Sequence, residues 1–137
     1  MASAFDINVI EENSIKNIIY NGIEAGFSFD IRFTAYRGTW LSCLEQFDVF
    51  LDGIKVPDDE VRFCLNEKEF LPEQLKELAW EYWFISDSAT IKVFLQRALH
   101  GEHRIQVKYA YRIPYTGYFG SYLVQEGNGG RTVMMQA

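Results

Sequence analysis

The stretch "GFSFDIRF", residues 26–33, alternates strictly between apolar and polar side chains. One face of an extended chain would carry the apolar residues Phe27, Phe29, Ile31 and Phe33. The other face would carry the polar residues Ser28, Asp30 and Arg32. This two-residue period is typical of a β-strand with one face buried in a core.

The same period recurs downstream, between clear turn signals. In "QFDVFLDGIKV", residues 46–56, alternation runs up to Asp52-Gly53, a dipeptide that supplies the positive φ angles of a two-residue hairpin turn. Further strands are predicted in "VRFCL" (61–65), "ATIKVFL" (89–95) and "GEHRIQVKYAYRI" (101–113). In "LPEQLKELAW", residues 71–80, leucines recur at spacings of four and three after Pro72, which predicts one short amphipathic helix.

Strands follow strands without alternating helices, so the sequence predicts an all-β fold, an antiparallel β-sandwich with one short helix. The length of 137 residues fits a single domain, residues 1–137. The glycine-rich end, "EGNGGRTVMMQA", is expected to be a mobile tail from about residue 126.

Charge and composition exclude several classes of function. The net charge of −6 and the absence of a basic cluster disfavour nucleic-acid binding. No apolar run is long enough to cross a membrane, and the first residues lack the pattern of a secretory signal. We therefore expect a cytoplasmic protein in which Cys43 and Cys64 are reduced thiols that pack as small apolar groups.

No catalytic residue or metal ligand emerges from the residues themselves. A nucleophilic cysteine needs a nearby base, and His100 and His103 are the only histidines. Their stretch, "LHGEHRI", is better explained as a turn at Gly101 that leads into a strand than as a metal site, which needs three or four ligands in fixed geometry. A pair of carboxylates remains possible among 19 acidic residues, but no local signal selects it.

Aromatic residues, 16% of the chain, suggest a binding surface. The loop "FTAYRGTWLS", residues 33–42, carries residue types that favour the centres of interfaces. The stretch "AWEYWF", residues 79–84, is apolar on both faces of an extended chain, which fits a covered core strand, a protein interface or a sugar-stacking platform. The residues predicted to contact a partner are Tyr36, Arg37, Gly38, Trp40 and Trp83. A possible second contact surface comprises Tyr115, Tyr118, Phe119 and Tyr122.

The order of these motifs resembles the small β subunit of the bacterial C-glycoside deglycosidases, across roughly residues 15–120. The motifs are "GFSFDIRFTAYRGTWLS", "DVFLDGIKVP", "DDEVRFCLNEKEF", "LAWEYW" and "LHGEHRIQVKYAYRIPY". The chain departs from the family pattern at Ala35, where the family often has a second tyrosine.

The resemblance implies a heteromeric enzyme in which this chain is the non-catalytic subunit that supports the α subunit. The α subunit of the family is an isomerase-like TIM barrel with a divalent metal, expected to be manganese. It cleaves the carbon–carbon bond between an aglycone and a 3-oxo-sugar. The 3-keto group acidifies the C2 proton, and the aglycone then leaves C1 by β-elimination, a reaction of flavonoid C-glycoside metabolism. The resemblance also implies that Tyr36 and Trp40 anchor the α subunit, while Arg37 pairs with one of its carboxylates or carbonyls.

Two other functions stay open at the level of sequence. The aromatic residues could form a sugar platform in a cytoplasmic carbohydrate-binding β-sandwich module. The chain could also be a small enzyme of its own, with a carboxylate pair that the sequence does not reveal. Sugar binding by the isolated chain would favour the first, and metal-independent activity of the pure chain would favour the second.

Overall fold

Antiparallel strands make up most of the structure, a computed structural model that describes residues 9–33, 38–113 and 123–135. Eleven strands lie in these ranges. They are Lys16–Tyr20 (β1), Ile23–Arg32 (β2), Thr39–Trp40 (β3), Leu44–Leu51 (β4), Ile54–Lys55 (β5), Val61–Leu65 (β6), Lys68–Phe70 (β7), Tyr82–Trp83 (β8), Ser88–Phe94 (β9), Gly101–Ile113 (β10) and Leu123–Met135 (β11).

Two sheets enclose the core, which confirms the predicted all-β sandwich. One sheet has the strand order β1-β2-β9-β6-β7 and the other the order β11-β10-β4-β5. Phe47 of β4 and Phe63 of β6 meet across the sandwich, with ring centroids 5.2 Å apart and planes at 84°. The apolar face of "GFSFDIRF" is buried, as the alternation predicted. A third sheet, formed by β3 and β8, packs against this core.

Tight turns connect neighbouring strands and fix their register. Asp52 and Gly53 both have positive φ angles, which confirms the predicted hairpin between β4 and β5. Asn21-Gly22 makes the same type of turn between β1 and β2, and Asn66-Glu67 makes it between β6 and β7. Because a register slip of one residue would turn every buried side chain outward, these turns help to specify the core.

The short helix predicted near Pro72 is present as a 3₁₀ helix, Pro72–Glu77. The backbone N–H of Leu71 donates to Oε1 of Gln74 at 2.8 Å and so fixes the start of the helix. Leu75 is its buried residue and packs into the core. A helix of only six residues gains little cooperative stability from α-helical hydrogen bonds, which explains why the tighter 3₁₀ form is observed. Two shorter 3₁₀ turns span Leu41–Cys43 and Asp58–Glu60.

The prediction of a mobile tail from about residue 126 is wrong. Strand β11 pairs with β10 along its whole length, from Leu123 opposite Ile113 to Met135 opposite Gly101. A Cβ atom at Gly127 would lie 2.2 Å from the Tyr109 ring. The glycines of this strand therefore permit close packing, whereas composition alone had suggested mobility.

The two cysteines are free thiols, with Cys43 buried and Cys64 half-buried. In the three described ranges there is no helix long and apolar enough to span a membrane.

Candidate partner-contact surface

Strands β3 and β8 form a two-stranded ribbon that presents aromatic side chains on its outer face. Thr39 lies opposite Trp83, and Trp40 lies opposite Tyr82. Successive side chains of a strand point to opposite faces. Thr39 and Trp83 are accordingly buried, whereas Trp40 is exposed and Tyr82 is half-buried.

The outer rings contact one another in a row that we call the aromatic triad: Trp40, Tyr82 and Phe84. The Trp40 and Tyr82 ring centroids are 4.9 Å apart with planes at 80°, and the Tyr82 and Phe84 centroids are 4.6 Å apart at 61°. Trp40 is 43% exposed and Phe84 is 55% exposed. The adjacent residues Trp80 and Ile85 are exposed as well. Neighbouring rings are steeply inclined, so the triad is an apolar ridge and does not make one flat platform for a sugar ring.

Trp83 does not belong to this surface, and the prediction that it contacts a partner directly is wrong. Its side chain is 0% exposed. Its ring lies 5.1 Å from that of Phe33 and 5.4 Å from that of Phe63, and its Nε1–H donates to the carbonyl oxygen of Asp87 at 3.0 Å. Trp83 supports the ribbon from the core side. Because the stretch "AWEYWF" is apolar on both faces of an extended chain, its sequence pattern does not show which face is buried.

Of the other predicted contact residues, Gly38 can be placed beside the ribbon. A Cβ atom there would lie 2.2 Å from the carbonyl oxygen of Trp83 and 2.7 Å from the Tyr82 ring. Only glycine allows this close approach of the chain to β8. Tyr36 and Arg37 lie outside the described residues. So do all four residues of the predicted second surface, Tyr115, Tyr118, Phe119 and Tyr122.

A buried carboxylate, Glu81, fastens β8 to the neighbouring hairpin. Its side chain forms an ion pair with Lys68 and accepts a hydrogen bond from Nδ2 of Asn66 at 3.2 Å. Nδ2 of Asn66 also donates to the carbonyl oxygen of Tyr82 at 3.4 Å. The hydrogen bond from Lys68 is the main reason why the pKa of Glu81 lies below its ordinary value. In the sequence, these contacts are indicated by Glu81 alone, the single polar residue of the apolar stretch "AWEYWF".

The side chains considered for catalysis are engaged in contacts within the fold. Burial, assisted by Glu69, raises the pKa of Cys64 to about 11, so its thiol stays protonated near neutral pH. Nδ1 of His103 lies 2.7 Å from Asp52, and Nε2 lies 2.9 Å from the carbonyl oxygen of His100. Within residues 9–33, 38–113 and 123–135, no group of three or more His, Cys, Asp or Glu side chains could hold a metal ion.

Comparison with known proteins decides the family. The family model described as C-glycoside deglycosidase beta subunit matches residues 5–115. This chain belongs to that family. The match includes β3, β8 and the whole aromatic triad, whereas β11 lies beyond it.

Individual members of the C-glycoside deglycosidase beta subunit family are similar over most of their length. A C-glycoside deglycosidase beta subunit from Microbacterium trichothecenolyticum is 30% identical over 107 residues, which cover 78% of each chain. The 3'-dehydrocarminate deglycosidase beta subunit from a Microbacterium species is 30% identical over 67% of this chain and 70% of its own. A C-glycoside deglycosidase beta subunit from Eubacterium cellulosolvens is 27% identical over 78% of this chain and 74% of its own.

Membership in a beta-subunit family implies a heteromeric partner subunit. The resemblance that the motifs suggested is therefore confirmed at the level of the family.

Proposed function

We propose that this chain is the non-catalytic β subunit of a heteromeric C-glycoside deglycosidase. The observation that carries this proposal is the family match over residues 5–115. The complex would cleave the carbon–carbon bond between an aglycone and a 3-oxo-sugar by β-elimination. The name of one relative, a 3'-dehydrocarminate deglycosidase beta subunit, supports an oxidised sugar as the substrate class.

The surroundings of the reactive side chains support a non-catalytic role for this subunit. The Cys64 thiol is held protonated, and the Glu81 carboxylate is occupied by Lys68 and Asn66. Asp52 accepts a hydrogen bond from the backbone N–H of Arg104 at 2.8 Å. These groups stabilise turns and strands, and none of them forms a nucleophile–base pair of the kind that catalysis needs.

In this proposal the chemistry belongs to the partner, an isomerase-like TIM-barrel α subunit that holds a divalent metal, manganese. The 3-keto group of the sugar acidifies the proton at C2, and its removal allows the aglycone to leave from C1. This chain would bind and stabilise the α subunit. We place the complex in the cytoplasm, where free thiols such as Cys43 and Cys64 persist.

The test is a cleavage assay with three enzyme preparations and one substrate. A 3-oxo-C-glucoside is incubated with manganese and this chain alone, with the α subunit alone, or with the two mixed. Release of the aglycone is followed by chromatography. An established enzyme of this type, acting on the same substrate, serves as the positive control.

The proposal expects release of the aglycone only in the mixture. Activity of this chain alone would overturn the non-catalytic assignment. Equal activity of the α subunit with and without this chain would show that the chain is not a required subunit.

A further inference from the structure

The exposed large apolar side chains of the described part lie at hairpin tips, on the outer strands β1 and β11, and around the aromatic triad. Some stand at hairpin tips, such as Ile23 beside the β1–β2 turn and Ile54, which is 74% exposed, beside the β4–β5 turn. The aromatic triad is different, because its three rings contact one another on a single short ribbon. Trp80, which is 86% exposed, and Ile85 flank it in the chain. Contiguous apolar surface of this kind marks binding sites.

From this surface we infer that the aromatic triad is the site at which the partner deglycosidase subunit docks. The inference rests on the proposed function, since it takes the partner to be the α subunit. Tryptophan and tyrosine are enriched among the residues that contribute most to binding at protein interfaces. The core is complete beneath the triad, where Trp83 is buried between rings of both large sheets, Phe63 and Tyr109. The outer rings are therefore not needed to close the sandwich.

Backbone hydrogen bonds and one ion pair hold the ribbon that carries the triad. The backbone N–H of Leu41 donates to the carbonyl oxygen of Glu81 at 2.9 Å, and that of Asp87 donates to the carbonyl oxygen of Phe84 at 3.0 Å. The Glu81 carboxylate, held by Lys68, adds a side-chain anchor. A surface that is already ordered loses less conformational entropy on binding, which favours affinity.

Charge indicates the chemistry of the partner's surface. The segment 66–87, which contains Tyr82 and Phe84, has six acidic and two basic side chains. It therefore accounts for most of the chain's net charge of −6. Complementary potentials speed association and exclude wrong partners. The acidic character of this segment favours a partner subunit that offers an apolar pocket with positive charge around it.

The experiment measures the affinity of this chain for the α subunit by biolayer interferometry. Trp40→Ala and Phe84→Ala are compared with Ile54→Ala and Ile23→Ala, which remove exposed apolar side chains outside the triad. Thermal unfolding of each variant confirms that the sandwich is intact. Each triad variant is expected to weaken binding by about 30-fold, the change that corresponds to loss of a residue dominating an interface. The control variants should stay within about threefold of the wild type.

The outcomes separate the docking site from the proposed function. If the wild-type chain binds the α subunit and the triad variants bind equally well, the docking site is wrong and the subunit role stands. If the controls weaken binding as much as the triad variants, the docking site is also wrong. If the wild-type chain does not bind the α subunit, the proposed function fails and the docking site fails with it. Self-association through the triad, with α binding unchanged, would contradict the docking site alone.

Discussion

Gly127 shows how one missing side chain decides the packing of an edge strand. It lies in β11, opposite Tyr109, whose ring is fully buried. A Cβ atom at Gly127 would sit 2.2 Å from Cζ of Tyr109. Because Tyr109 is packed against the core rings, it cannot move aside without cost.

Gly127→Ala is therefore expected to destabilise the protein by about 1–3 kcal/mol, the usual cost of overpacking a core. Gly130→Ala, in the same strand, is the matched control. Its Cβ atom would meet mainly Nη2 of Arg104, the end of a flexible side chain, at 2.7 Å. Urea denaturation of both variants measures the difference. Equal stability of the two variants would contradict the packing role of Gly127.

Trp40 and Trp83 show what sequence could and could not predict about single residues. Trp40 was predicted on a contact surface, and it is exposed beside Tyr82. Trp83 was placed on that surface as well, but it is buried. Trp83 lies in an apolar stretch where local alternation is ambiguous, and only the pairing of β3 with β8 decides which face is outward. Composition identified the residue types, whereas their orientation depends on tertiary contacts.

At the scale of elements, the β4–β5 turn is tied to the start of β10 through Asp52. One oxygen of Asp52 accepts a hydrogen bond from the backbone N–H of Arg104 at 2.8 Å, and the other lies 2.7 Å from Nδ1 of His103. The Arg104 bond foremost, and then the His103 contact, lower the pKa of Asp52 from its ordinary value of 3.8. A lowered folded-state pKa means that the ionised group stabilises the fold above about pH 3.8, and that this contribution is lost as pH falls.

Asp52→Asn should therefore reduce the free energy of unfolding at pH 6, by about 0.5–1 kcal/mol for an exposed and screened group. Asn-Gly keeps the preference for the turn, so the loss reports on the carboxylate. The difference from wild type should shrink as pH falls below 3.8. Chemical denaturation across this pH range measures it, with Asp59→Asn as the charge-matched control. If the free energies of unfolding of the variant and the wild type differ as much at pH 2.5 as at pH 6, the prediction is wrong.

The pairing of β11 with β10 leads to a second prediction at the scale of elements. A chain that ends after residue 126 loses the pairing of Gly127–Met135 with β10 and uncovers the edge of that strand. We expect it to be insoluble, or to have a Tm lower by at least about 10 °C, as the loss of several kcal/mol implies. A chain that ends after Met135 keeps every β10–β11 pair and should match the full chain. An unchanged Tm after the longer truncation would indicate a dispensable tail.

Elements with a clear period or turn dipeptide were predictable from sequence, and β11 was not. "GFSFDIRF" and Asp52-Gly53 carry local signals that the structure confirms. Strand β11 carries three glycines, Gly127, Gly129 and Gly130, where a strand usually has branched or aromatic side chains. Its glycines are fitted to the Tyr109 ring on β10 and to Val9, which lies at the other end of the chain. Such long-range packing leaves no periodic signal.

At the scale of the whole molecule, the sandwich buries its own core and still exposes an aromatic ridge. Rings from both large sheets pack around Trp83, so the fold is closed without the triad. The family is shown by the match over residues 5–115 and implies a partner subunit. Together, these two facts support one claim, that the partner subunit covers the ridge.

Hydroxyl-radical footprinting of the reconstituted complex tests this claim most directly, because it uses the unaltered chain. The reactivity of each side chain is measured by mass spectrometry in the free chain and in the complex with the α subunit. We expect Trp40 and Phe84 to lose most of their reactivity in the complex, while Ile54 keeps its own. If Trp40 and Phe84 react as fast in the complex as in the free chain, the claim that the partner covers the ridge is contradicted.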